Sequence, residues 1–157
     1  MKKLLAATVS ALMLTASPVA FAKSNCAAPD EFQALNARVL QSDLMVGALA
    51  CKQQASYNAF VKKFQPELVR RSNGMQSYFK RVYGGASTNQ MNRFVTNIAN
   101  DSSTTSLNMN ESQFCSTIKQ AFSTILSSDT RNLNTLISDN FYSSRHGVES
   151  CKSVAQN

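Results

Sequence analysis

The chain has 157 residues, 43% of them apolar, with 16 Lys and Arg against 9 Asp and Glu and a formal net charge of +7. Glycine and proline are scarce and the apolar fraction is in the globular range, which excludes a collagen-like or wholly disordered chain. The charge is basic without being polycationic, and the length suits one ordinary domain with a modest core.

Residues 1–22 read as a cleavable secretory signal peptide. Lys2 and Lys3 form a positive start, Leu4 through Thr15 is an apolar run, and Ala20 and Ala22 place small residues before a cut at Lys23. Ser17 and Pro18 break the apolar helix ahead of that site, and the run is shorter than the roughly 20 residues a membrane span needs. Residues 23–157 are then one exported domain, periplasmic or extracellular, with no transmembrane segment. Of the formal +7, Lys2 and Lys3 leave with the signal, so the mature domain carries about +5.

Apolar spacing predicts helices through most of that domain. Phe32, Leu35, Val39, Val46 and Leu49 mark a helix over 31–50 with Asp30 as its N-cap. A second helical segment spans 52–83, with Tyr57, Phe60, Phe64, Leu68, Met75, Phe79 and Val82 on one stripe. Pro66 either opens a fresh helix there or sits inside a continuous one. Gly84 and Gly85 stop it. A shorter helix is expected from about Thr88 to Asn100, then a polar loop near 101–109 rich in Ser, Thr and Asn.

Asn110 with Gln113 is a capping-box variant that opens a helix burying Phe114, Ile118, Phe122 and Ile125. Asp129 caps a final predicted helix carrying Leu133, Leu136, Ile137 and Phe141, and the tail after Tyr142 is irregular. The expected fold is all-α: an up-and-down bundle of four to six helices.

Cys26, Cys51, Cys115 and Cys151 all lie in the mature domain, and an even count in an exported chain reads as two disulfides. No pair shows the short spacing typical of a zinc site, so no metal or other cofactor is implied. Four cysteines allow three pairings. In an up-and-down bundle Cys51 and Cys115 fall at the same end, and the complementary Cys26–Cys151 bond ties the chain ends together. Cys26–Cys51 is disfavoured, because a 20-residue helix is about 30 Å long whereas disulfide α-carbons lie within roughly 7 Å.

The strongest surface signal is the basic doublets of the second segment. If that helix is continuous, Lys62, Lys63, Arg70, Lys80 and Arg81 fall within about a third of its circumference, opposite Phe64, Met75 and Phe79. Such a face is either a solvated exterior or an electrostatic docking surface for an acidic protein or an anionic envelope. Nucleic acid is not the expected partner, because no stacking aromatic accompanies the charges.

Catalytic patterns are weak. Ser116-Thr117-Ile118-Lys119 and Ser138-Asp139-Asn140 match two serine β-lactamase elements, but the third is missing and the domain is too small for that architecture. His146 is the only histidine, with Glu149 three residues on, and Met45, Met75, Met91 and Met109 suit a core better than a metal ladder. The expectation is a non-enzymatic binding or interaction protein acting through the basic face. The alternative is a small exported enzyme with a site assembled from distant residues such as His146, Ser116 and Tyr57.

Overall fold

In the computed structural model, which describes residues 25–137 and 140–151, Pro29 opens the first helix, α1 (Pro29–Ala50). Its fixed φ and missing N–H suit the first helical position, and Glu31 Oε2 accepts the Ala28 N–H at 2.8 Å. Asp30, expected as the cap, instead lies in the first turn, where a carboxylate suits the positive end of the helix dipole. The expected signal peptide lies outside the described residues.

The second helix, α2 (Gln54–Tyr83), runs unbroken through Pro66. The proline cannot bond the carbonyl of Lys62, and it is exposed, so water can take that place. Phe60, Phe64, Met75, Phe79 and Val82 are buried along the predicted stripe. Gly84, at φ 56°, ends the helix, and one 3-10 turn (Gly84–Ala86) leads directly into α3 (Ser87–Asn108).

Here the expected polar loop near 101–109 is corrected: α3 stays helical through Asn108. The polar residues bond their own helix, with the hydroxyls of Ser103 and Thr105 donating to the carbonyls of Ala99 and Asp101 at 2.9 and 3.0 Å. Such back-bonding lets a Ser/Thr-rich sequence remain helical. The fourth helix, α4 (Glu111–Ser127), starts as predicted, with Asn110 Oδ1 accepting the N–H groups of Ser112 and Gln113.

The helix expected from Asp129 is a second correction. Residues 128–132 form successive side-chain turns: Thr130 N–H to Ser128 Oγ, Asn132 N–H to Thr130 Oγ1, and Asn134 N–H to Asn132 Oδ1. These short polar residues compete with helix formation, so the helix starts only at Asn134: α5 (Asn134–Ile137) holds Leu136 and Ile137, and Phe141 falls in α6 (Asn140–His146). The expected irregular tail begins later than Tyr142, because α6 stays helical to His146, where Gly147 at φ 66° ends it. Beyond it, Ala27 and Ser150 form a parallel bridge, with Ala27 N–H on Glu149 O and Cys151 N–H on Ala27 O, both at 2.8 Å.

The result is an all-α bundle stapled by two disulfides. Cys51 is bonded to Cys115 and Cys26 to Cys151, with Cα separations of 5.3 and 4.9 Å. α1 packs against each of the other five α-helices. Its buried residues therefore lie on several sides, and Leu49, expected inward, is exposed. One core cluster gathers Leu44, Phe60, Phe64, Phe122 and Ile137; a second gathers Leu35, Met75, Tyr78 and Phe79. Near the first disulfide α1 and α4 approach closely: a Cβ on Gly47 would lie 2.4 Å from Ile118 Cδ1. No helix among the described residues is long and apolar enough to cross a membrane.

Candidate binding surface

The continuity of α2 through Pro66 aligns its charged side chains. Lys62 and Lys80 are 18 residues apart, five full turns, so they share one side of the helix about 27 Å from each other. Both are exposed, and neither takes part in an ion pair among the described residues. Between them the outward crest carries Pro66, Val69, Asn73 and Gln76, all exposed, with Val69 retaining 55% of its accessible surface. Arg70 flanks the crest. Its Nη2 lies 2.6 Å from Glu67 Oε1, which raises the guanidinium pKa through that bond.

The other two predicted face residues have internal tasks. Lys63 is half-buried, and its Nζ donates to the carbonyls of Ile125 and Leu126 at 2.9 and 3.1 Å, and to that of Ser128. A cation there compensates the negative end of α4. Arg81 reaches Glu31 Oε2 at 2.5 Å and the Cys26 carbonyl at 2.7 Å, so it fastens the end of α2 to the entry of α1. The Arg81 hydrogen bond is also the main cause that holds the Glu31 carboxyl below its usual pKa.

The catalytic candidates do not converge. Burial pushes His146 down to about 4, so the ring is neutral at physiological pH. Nδ1 accepts the Val148 N–H at 3.1 Å, which leaves the proton on Nε2, donated to Asn36 Oδ1 at 2.8 Å. Asn36 in turn donates to the Ile137 carbonyl at 3.1 Å. Both ring nitrogens are thereby committed to structure. Glu149 is exposed and makes no ion pair with His146 among the described residues.

Ser116 adjoins Cys115, which is bonded to Cys51, and about 22 Å of helical rise separates Asn36 from Cys51. His146 and Ser116 are thus held at different levels of the bundle. Tyr57 packs against the first core cluster. Ser116 and Lys119 are exposed on α4, while Ser138 and Asp139 lie outside the described residues. Met75 is buried, Met45, Met91 and Met109 are half-buried, and no metal-holding cluster of His, Cys, Asp and Glu occurs among the described residues.

Sequence reasoning missed a polar hub around Arg145. This guanidinium binds Asp43 on α1 and Asp101 on α3, and its Nη2 lies 3.2 Å from Ser102 Oγ. Asp43 and Arg145 are 102 residues apart, and no local spacing announces such a pair. Asn36 did carry a signal, as an amide set between Leu35 and Ala37 in an apolar helix. No protein-family model, curated protein or solved structure significantly matches the chain.

Proposed function

We propose that the chain is a small exported binding protein, periplasmic or released, that engages an acidic partner or anionic envelope surface along the outward crest of α2. The observation that carries this reading is the charge layout of that helix. Its 30 residues hold six cations and one carboxylate, Glu67, which Arg70 and Arg71 both grip. No carboxylate therefore interrupts the exposed line from Lys62 to Lys80, and Val69 adds an apolar contact at its centre. Clustered like charge attracts an anionic surface over roughly a Debye length, about 8–10 Å near physiological salt. The export part rests on the order of charged, apolar and small residues in 1–22, and on two disulfides, which suit an oxidising compartment.

The test leaves the internally engaged cations in place. Lys62→Glu with Lys80→Glu reverses the crest without touching Lys63 or Arg81. Affinity capture from envelope extract with the oxidised protein is expected to yield a salt-sensitive partner whose recovery falls about tenfold with the double variant. Equal recovery by the two proteins, or recovery indifferent to salt, refutes the reading.

A further inference from the structure

On the other side of α2, facing α1, lies a small cavity of about 50 Å³ lined by Arg38, Gln41, Leu68, Arg71, Ser72 and Met75. Two arginines from neighbouring helices line it. Arg71 is only 3% exposed; its Nε and Nη2 donate to Glu67 Oε1 at 3.1 and 3.0 Å, and Nη2 also meets Asn134 Oδ1. Its Nη1 is buried and finds no acceptor among the described residues. Arg38 repeats the pattern. Its Nη1 reaches Gln41 Oε1 at 3.4 Å, its Nε is buried without an acceptor, and no carboxylate pairs with it among the described residues.

The charge is as incomplete as the hydrogen bonding. Glu67 is shared between Arg70 and Arg71, and Arg38 has no ion pair with a carboxylate among the described residues. Desolvation pushes the Arg38 pKa down, as expected for a cation held away from water without a counter-charge. Buried donors on a cation are costly unless an acceptor, best an anionic one, meets them.

We infer that the Arg38–Arg71 cavity is a binding site for one small oxyanion, a phosphate, sulphate or carboxylate group, held between the Arg38 and Arg71 guanidinium groups. Guanidinium N–H groups match such oxygens in both geometry and charge. A single water needs roughly 10–15 Å³ by the same measure of space, so this cavity takes a group of a few heavy atoms and not a length of chain. Ser72, exposed at the edge, places the entrance on the solvent side. The site is separate from the Lys62–Lys80 crest, and its test does not depend on that surface.

The experiment is an NMR titration of arginine Nε–H resonances in the oxidised protein, in chloride buffer at constant ionic strength. Inorganic phosphate, sulphate and acetate probe free ions; glycerol 3-phosphate probes a larger molecule entering by its phosphate. Saturable movement of the Arg38 resonance is expected, with a melting temperature that climbs with the logarithm of phosphate concentration. Arg38→Leu abolishes that climb. The inference is overturned if Arg38 only drifts in step with the exposed Arg93, or if Arg38→Leu shows the same thermal response. Should Arg38→Leu fail to fold, the wild-type titration alone separates saturable binding from drift.

Discussion

The guanidinium of Arg145 sets Nη1 at 2.7 and 2.6 Å from the two carboxylate oxygens of Asp43, joining the last helix to the middle of the first. Its Nε lies 2.7 Å from Asp101 Oδ2 on α3, so one side chain holds three helices. The Arg145 side chain is 11% exposed and that of Asp43 23%, which leaves little water to replace a missing partner. Arg145→Met is expected to cost about 2–3 kcal/mol, because it strands a partly buried carboxylate. Adding Asp43→Asn should recover part of the loss, giving a coupling of about 1 kcal/mol or more in a double-mutant cycle of urea unfolding. Simple additivity would show that the pair is not coupled.

Lys63 and Lys62 are neighbours in sequence with different tasks. Replacing Lys63 by Met removes the donor from the α4 terminal carbonyls and should destabilise the protein by about 1–2 kcal/mol. Lys62→Met and Lys80→Met alter only exposed positions, and their unfolding midpoints should stay within about 0.5 kcal/mol of wild type. Equal losses at Lys62 and Lys63 would contradict the assigned division between surface and structure.

His146 predicts a pH dependence whose sign is fixed. Burial lowers its pKa from 6.5 to about 4 in the folded protein. Between those values the unfolded chain binds the extra proton, so folding stability is complete above about pH 6.5 and declines as the pH falls toward 4. The half-buried ring is partly screened, so the loss should be about 1–2 kcal/mol and not the full equivalent of the shift. His146→Gln should flatten the stability profile in that window. The depressed carboxyls of Glu31 and Glu67 act lower, below about 4.5, where acid removes their ion pairs. A wild-type profile flat from pH 6.5 to 4.5 would count against the neutral, buried imidazole.

The two disulfides should be separable. Each closes a long loop, with sequence separations of 125 for Cys26–Cys151 and 64 for Cys51–Cys115, and replacing either pair by Ser should cost about 2–4 kcal/mol. Loss of Cys26–Cys151 should selectively speed hydrogen exchange at the amides of Ala27 and Cys151, which bridge the chain ends. Loss of Cys51–Cys115 should leave that local pattern intact while lowering global stability. Unchanged melting on complete reduction would exclude a stabilising role for both bonds.

The stripe on α2 is legible because a helix buried on one side repeats its apolar residues at its own period. α1 is harder to read. It is surrounded, burying Asn36 and Ser42 as well as Leu35 and Val39, so a one-sided stripe wrongly turns Leu49 inward. In 101–108 composition suggests a loop, yet the hydroxyls close on carbonyls of the same helix, and Ser102 Oγ lies 2.7 Å from Asp43 Oδ1. At 128–132 the same kinds of side chain bond backbone N–H groups two residues ahead and break the helix. Local composition is similar in the two segments; the packing around them differs.

Residue order alone was enough for the helical class, for the even set of cysteines that supports two bonds, and for the apolar stripe of α2. All follow from residue count or from spacing of three to four positions, which are local properties. Packing between helices settled that Lys63 meets the end of α4, that Arg145 meets Asp43, and that Arg38 and Arg71 line one cavity. Those outcomes depend on which helix lies opposite, across separations that no local period encodes.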